Sequence, residues 1–432
     1  MPKKGYQWDN NNPPLIERHS LAKHRIIYEY LVRYIKVLCA NPIIENFKIS
    51  LVDGFSGGGT YLTENGERVA GSPLIMLRAV KEAEAEINLN RREQGLNNQL
   101  RIQPIYYFID NDKKALYCLE QSIKKEFNYE LNNINLIEGK YEEYSSDILD
   151  KIESRDRSQR SIFLLDQYGY TDVPVGIIYE IFRRIKNPEV LFTFAIDFLI
   201  AYISKNTRSL YEKSLKKAGL YSKIQSKINI DNKDKDPEWL LSIQAALSEE
   251  LKINCNAKYY TPFFILSDKS HRGYWFVHLS NHIRANEVMK ELHWNIKNHF
   301  RHFGRPGLQM LTYDPHQESF KNTDDIFGFK FDEYAQEQTQ SALLIELPKL
   351  ICSFDSFGIR YNDLQERIGN FTPACAKIYN PVFDELLKAK EIKIITAEGG
   401  ERRKANCIKG DDILRLPPQR KLFFLDSNKG RF

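Results

Sequence analysis

The sequence predicts an α/β protein: a seven-stranded, mostly parallel sheet wrapped by helices, followed by a small helix-rich domain. Three observations predict it. Short β-rich runs alternate with helical runs five times between Lys48 and Phe194, the signature of a parallel sheet covered on both faces. Two more apolar runs, 261–267 and 274–279, are separated by six residues, too few for a helical crossover but enough for a hairpin. From about Gln336 the pattern changes to three helical runs and then two short β runs.

In chain order, the polar stretch 10–14 (Asn-Asn-Asn-Pro-Pro) reads as a flexible lead-in. A helix over 19–39 places Ile26, Ile27, Tyr30, Leu31, Tyr34 and Leu38 on one face. Strands follow at 48–53, 103–109, 134–138, 161–166 and 189–194, with helices at 72–86, 112–127, 144–152 and 176–184 between them. Residues 205–256, lysine-rich with a polar loop at 231–237, read as a helical insertion. Five parallel repeats and a closing hairpin amount to seven strands with the last antiparallel. That is the Rossmann-like class I methyltransferase architecture; a dehydrogenase-type sheet does not need the hairpin. Helical runs 338–354, 361–368 and 373–390, then β runs 392–396 and 405–409 around a basic tip, read as a C-terminal winged helix. Pro381 leaves the register of its third helix open. The domains expected are a lead-in and packing helix (1–46), the methyltransferase-like domain (47–332) and the winged helix (335–432).

With 42% hydrophobic and 28% charged residues, the chain has ample material for a core, which excludes wholesale disorder. The net charge of +5 is mild, and residues 201–320 hold 18 basic against 12 acidic side chains. The six cysteines are scattered without a Cys-x-x-Cys pair, as expected of free thiols in a cytoplasmic protein. Residues 1–14 are polar, unlike a signal peptide. The longest apolar run, 190–203, contains Asp197 and is too short to span a bilayer, so no membrane association is expected. His278, His282, His293, His299 and His302 lack the spacing and companions of a ligand set, and no metal is expected.

Three strand ends carry the chemistry. The first, Leu51-Val52-Asp53-Gly54-Phe55-Ser56-Gly57-Gly58-Gly59-Thr60-Tyr61, runs an apolar strand into a carboxylate and a glycine-dense turn. Glycines there allow positive φ and close approach of backbone to ligand. A dinucleotide site would start its helix at once; here the helix waits until Gly71-Ser72-Pro73, past Glu64 and Glu67. A nucleoside cofactor without phosphates, such as S-adenosylmethionine, fits better, with Asp53, Phe55, Ser56, Gly57, Gly59 and Ser72 as its candidate contacts. The second strand end places Asp110 to accept ribose hydroxyls, while Asp112 reads as a helix cap. The third, Phe163-Leu164-Leu165-Asp166-Gln167-Tyr168-Gly169-Tyr170, presents Asp166 beside Tyr168 and Tyr170. A carboxylate with aromatic neighbours suits a flat base bearing an exocyclic amine; a helix cap with two packing tyrosines is the plainer reading.

The runs 52–61 and 71–79, Lys23-His24 in the leading helix and the Asp166 motif resemble the three-Cys-motif partner protein family, over roughly residues 15–303. The resemblance implies S-adenosylmethionine-dependent methyl transfer, and a separate cysteine-rich protein similar to radical-SAM enzymes as partner. Asp53-x-Phe55-x-Gly57-x-Gly59 is also similar to the cofactor motif of amino-group nucleic-acid methyltransferases. Their Asp/Asn-Pro-Pro-aromatic motif maps Asp166 to the acid, with Gln167 at the first proline and Gly169 at the aromatic position, so that Tyr168 or Tyr170 would have to stack on the base. Gly139-Lys140 lacks the usual adenine-binding acid, leaving a backbone group near Tyr141 for that role.

The resulting expectation is an S-adenosylmethionine-dependent methyltransferase acting on nucleic acid, at a base amino group, within a bacterial defence or modification module. Lys377 on the third helix of the winged domain and Arg402, Arg403 and Lys404 at its wing would supply phosphate contacts. The alternatives are a non-catalytic adaptor that keeps the fold and, less in keeping with the wing, a small-molecule methyltransferase.

Overall fold

The computed structural model describes residues 6–167, 171–195, 208–220, 239–266, 273–296, 299–300, 306–311, 329–330, 332–354 and 357–418. The chain divides into two units, Met1–Gly304 with Thr312–Phe331, and Arg305–Leu311 with Asp332–Phe432.

In the first unit, helix α1 (Arg18–Leu38) precedes strand β1 (Asn46–Asp53). A small hairpin, β2 (Thr60–Leu62) and β3 (Arg68–Ala70), separates the glycine turn from α2 (Ser72–Glu93). Then β4 (Arg101–Asp110), α3 (Lys113–Glu126), β5 (Ile134–Glu138), α4 (Tyr141–Arg155), β6 (Arg160–Leu165), α5 (Val175–Arg184) and β7 (Asn187–Phe194) alternate. Helices α6 (Arg208–Ala218) and α7 (Trp239–Asn254) lead to β8 (Tyr259–Leu266), β9 (Gly273–Ser280) and α8 (Ile283–Ile296), and then to a short antiparallel pair, β10 (His299–Phe300) with β11 (Phe329–Lys330). The strands line up as β5-β4-β1-β6-β7-β9-β8. All pairs are parallel except those made by β9. Counting sheet strands along the chain, this is 3-2-1-4-5-7-6 with the seventh antiparallel, the class I methyltransferase order.

The apolar runs become strands because both sheet faces are covered: β6 is buried at five consecutive positions, Ser161–Leu165, and β7 at seven, Pro188–Phe194. The amphipathic α1 buries Ile26, Ile27, Tyr30, Leu31 and Ile35. It is tied down by a buried polar group: the Tyr30 hydroxyl donates to Glu189 on β7, and His278 Nε2 on β9 lies 3.0 Å from the same carboxylate oxygen. The segment read as an insertion differs from that reading in its described parts. Leu215 and Ala218 of α6 and Ile243, Ala246, Leu247 and Leu251 of α7 join the main core with Val175, Ile178 and Phe192. In α6 the described Lys213, Lys216 and Lys217 are exposed beside these apolar positions; α6 and α7 supply a layer of the core, and residues 205–207 and 221–238 lie outside the described residues.

In the second unit, α9 (Glu333–Cys352), α10 (Tyr361–Ile368) and α11 (Ala376–Lys388) accompany an antiparallel sheet of β12 (Ile359–Arg360), β14 (Ile413–Arg415) and β13 (Lys393–Ile395), in that order. This is a winged helix. Helix α11 continues through Pro381, carried by the buried Ile378, Tyr379, Val382, Phe383 and Leu386 on one face.

Candidate active site

The sheet reverses its winding between β1 and β6, where open α/β sheets form a crevice at the carboxyl ends of their strands. The register brings three carboxylates to that edge. Asp53 pairs with Phe108 on β4 and Leu164 on β6, so Asp110 and Asp166 each sit two residues past their neighbour's partner. A cleft of about 610 Å³ opens there, lined among others by Gly54, Phe55, Gly57, Ser72, Asp110 and Asp166. Its size lies within the roughly 300–1,000 Å³ usual for small-ligand sites.

The glycine turn is built by hydrogen bonds across strands. Gly54 N–H donates to Leu164 O at 2.9 Å, Ser56 N–H to Ile109 O at 2.9 Å, and Gly57 N–H to Asp110 Oδ2 at 2.8 Å. Gly57 and Gly59 have φ of +61° and +79°, which residues with a Cβ adopt at a cost. Asp110 Oδ1 accepts from Asp112 N–H at 2.8 Å, and Asp112 in turn caps α3 by accepting from Lys114 N–H. Burial lifts Asp110 above the usual carboxylate range, against the pull of these N–H groups.

Asp53 is wholly buried. Its Oδ1 accepts from Phe55 N–H at 3.1 Å, while Oδ2 has no hydrogen-bond partner. Burial pushes its pKa up to about 7, against hydrogen bonds from the Ser72 side chain and Phe55 N–H, with the charges of Asp166 and Asp110 adding to the rise. An unmet acceptor directly before the turn suits a ligand carrying positive charge.

Asp166 lines the cleft but does not face it alone. Lys23 Nζ, from α1, contacts both of its oxygens, at 2.5 and 2.6 Å. Burial opposes the Asp166 charge, yet the Lys23 ammonium and its hydrogen bond outweigh it and hold the carboxyl below its usual range. Beside Lys23, His24 is buried and its pKa falls to about 4, through burial first and the Lys23 charge second; it is neutral at pH 7. Its ring is hydrogen-bonded to the Ala70 backbone, and Nδ1 has no partner. Gln167, at the position where the resemblance implies a proline, ties down the chain that follows β6. Its Oε1 accepts from Asp172 N–H and Val173 N–H, both at 3.0 Å. Tyr168 and Tyr170 lie outside the described residues.

Sequence reasoning missed the residues N-terminal to α1. Trp8 lies over the glycine turn: a Cβ on Gly58 would fall inside its indole, and one on Gly57 would come within 2.9 Å of it. Tyr61 and Tyr6 complete an aromatic cluster with Trp8, at centroid distances of 5.1 and 5.7 Å. The segment 10–14, read as a flexible lead-in, is held along the small hairpin: Leu62 N–H donates to Pro14 O, Ile16 N–H to Leu62 O, and Arg68 Nη2 to Asn10 O. The signal available was an aromatic pair, Tyr6 and Trp8, in an otherwise polar segment.

In the winged helix, Lys377 is exposed on α11. Arg403 and Lys404 are exposed between β13 and β14. Arg402 is engaged instead: its guanidinium grips both oxygens of Asp412, an acid that is 1% exposed and also accepts from Lys409 N–H. It holds the base of the wing. Among the described residues, no cluster of ligating side chains could hold a metal and no helix is long and apolar enough to cross a membrane.

Residues 312–399 match the family model described as a GMT-like wHTH domain. No curated protein matches the sequence. Among solved structures, the METTL16 methyltransferase domain is similar at 9% identity over 58% of this chain and 66% of that one, with a TM-score of 0.28. Spermidine synthase from Thermotoga maritima is similar at 8% identity over 60% and 62%, with a TM-score of 0.26. The plantazolicin methyltransferase BamL, in complex with a triazolic desmethylPZN analog and SAH, is similar at 10% identity over 61% and 85%, with a TM-score of 0.24. The strand order and register carry the fold assignment: a Rossmann-like class I methyltransferase domain followed by a winged helix-turn-helix.

Proposed function

We propose that this chain transfers a methyl group from S-adenosylmethionine to nucleic acid. The observation that carries the reading is the convergence of a positive-φ glycine turn and the strand-end acids Asp110 and Asp166 on one cleft, with Asp53 buried at the strand end directly before the turn. Asp110, fixed by two backbone N–H groups, keeps lone pairs for two ribose hydroxyls. The Gly57 backbone reaches the wall of the cleft, packed against Trp8 and Tyr61, where the body of the cofactor would lie, and the buried Asp53 carboxyl at the end of β1 favours the cofactor's positive charge from behind that wall. Phe55, Ser56 and Ser72 frame the same turn. When bound, the cofactor supplies an activated methyl group, so the chain's own work is alignment. The winged helix, with Lys377, Arg403 and Lys404 exposed, supports a polymer partner through phosphate contacts. A cysteine-rich partner protein, implied by the family resemblance, belongs to the same reading and is open to a co-purification test.

The test is calorimetric titration with S-adenosylmethionine and its demethylated product, followed by labelled methyl transfer to mixed DNA and RNA. Binding of both small molecules and label in a polymer are expected. Failure to bind either sinks the enzymatic reading; binding with label only in small molecules sinks the nucleic-acid part.

A further inference from the structure

The residue read from sequence as the holder of a substrate amine enters the cleft already paired. Asp166 accepts from Lys23 through both oxygens. That uses two of the three N–H groups of the ammonium, and among the described residues the third has no acceptor. The next residue of α1, His24, presents the opposite need. Its Nδ1 has no hydrogen-bond partner and, in the tautomer that carries the proton on Nε2, holds a lone pair that no donor meets. Lys23 and His24 both line the same cleft as Asp166, and they are 5% and 9% exposed. A buried donor and a buried acceptor left unpaired are each costly, and one ligand atom placed between them answers both.

That requirement selects the atom. An exocyclic base amine donates hydrogen bonds, and its lone pair is delocalised into the ring, so it would satisfy His24 and confront the Lys23 ammonium with more N–H. A hydroxyl does both: it accepts from one partner and donates to the other. We propose that the methyl acceptor is a hydroxyl oxygen, held by Lys23 Nζ and deprotonated by His24 Nδ1, and, in a nucleic acid, the ribose 2′-hydroxyl of RNA. This deepens the function proposed above and rests on it. DNA has no 2′-hydroxyl, which is what lets a protein tell the two polymers apart at a site.

The chemistry balances with these groups alone. One lone pair of the hydroxyl oxygen forms the new carbon–oxygen bond as the carbon–sulfur bond of the methyl donor breaks, its electron pair returning to sulfur. The O–H proton, made strongly acidic as oxygen gives up its lone pair, passes to His24 Nδ1 and then to water. The Asp166 carboxylate faces both the Lys23 ammonium and the transient imidazolium. Lys23 and His24 are catalytic residues in this scheme; Asp166 is a positioning residue acting through them.

The experiment uses the full chain, labelled S-adenosylmethionine, and mixed-sequence RNA and DNA. Label is expected in RNA alone, in alkali-resistant dinucleotides, because a methylated 2′-oxygen cannot attack the adjacent phosphate. Lys23→Met and His24→Asn are each expected to lower turnover by about 100-fold or more, with S-adenosylmethionine affinity within about threefold of the parent. Asn keeps an acceptor near the Nδ1 position but takes no proton, so His24→Asn should lose kcat with KM little changed. A readout independent of turnover is strand binding: the parent should favour single-stranded RNA over its 2′-deoxy counterpart by about tenfold, and Lys23→Met should erase that preference. Lys23→Arg, which keeps the charge and the pairing with Asp166, guards against misfolding and should retain the preference. Label in a base amine overturns the oxygen assignment and leaves nucleic-acid methylation standing. Label in no polymer, with cofactor bound, overturns both. Equal binding of RNA and DNA by the parent also overturns the assignment.

Discussion

Asp53→Asn tests the electrostatics on which the cofactor site rests. The Asp53 carboxyl is wholly buried with one oxygen unmet, and its pKa rises from 3.8 to about 7. A rise of about three is worth on the order of 4 kcal/mol of differential stability between the protonated and ionised forms. The folded chain holds this proton more tightly than the unfolded chain, so the contribution is fully present below pH 4 and is lost as pH climbs towards 7. At pH 8 the ionised, buried carboxylate is therefore a burden that Asn does not carry. Urea denaturation of the two proteins at pH 4.5 and pH 8 should show the variant gaining on the parent at the higher pH, by up to roughly 4 kcal/mol, with near equality at the lower. The same logic applies to the cofactor. A cation near the turn stabilises the ionised form, so S-adenosylmethionine should bind the parent more tightly as pH rises from 5 to 7 and release a proton in doing so, while the Asn variant binds with little pH dependence. A parent-minus-variant difference that stays flat between pH 4.5 and 8 would refute the claim that Asp53 is held protonated by burial.

Three further outcomes follow from the same geometry. Lys23→Met leaves the Asp166 carboxylate without its counter-ion; loss of one member of a buried pair costs about 3–5 kcal/mol, reduced here because Asp166 is 23% exposed, so a loss of about 2–3 kcal/mol in denaturation is expected, largely recovered in Lys23→Met/Asp166→Leu. Gly58→Ala places a methyl group in the Trp8 indole and should expel it, seen as a red shift in tryptophan emission that is absent when Trp8→Phe is already in place. Arg403→Ala and Lys404→Ala should each weaken nucleic-acid binding across sequences and reduce the salt slope by about one, whereas Arg402→Ala should lower the stability of the winged helix by stranding Asp412, measured by calorimetric melting.

The sheet was legible because its physics is local. Buried parallel strands must be apolar along their whole length, so runs such as Ile162–Leu165 stand out, and the six-residue gap before Tyr274 could only be a hairpin. The strand-end acids were legible for the same reason: the last residue of an apolar run lies at the sheet edge. What was hidden depended on distance in sequence. The pairing of Lys23 with Asp166 spans 143 residues, and no periodicity reports it; Lys23 and His24 were visible only as part of a resemblance. Trp8 was hidden because its partner is the absence of side chains at Gly57 and Gly58, a surface that glycine-rich sequence reads as a ligand turn and nothing else. Lysine content misled at α6, where Leu215 and Ala218 are buried while Lys213, Lys216 and Lys217 are exposed around them.

These hidden contacts converge on one element. Helix α1 carries Lys23 and His24, and two turns further along the same face it carries Tyr30, whose hydroxyl is buried against Glu189 and His278. Residues seven apart on a helix share a face, so the group that locks α1 onto β7 and β9 also sets the height at which Lys23 reaches the end of β6. A methyl transfer whose rate comes from alignment is sensitive to that height at the scale of tenths of an ångström. The buried polar group at Tyr30 serves this better than an apolar contact of the same volume would. Hydrogen bonds to a fixed carboxylate fail when the helix slides, whereas leucines and isoleucines tolerate a shift of register. On the proposed reading the leading helix is thus part of the reaction centre, and the edge of the sheet that would do the chemistry is complete only with residues that precede the first strand.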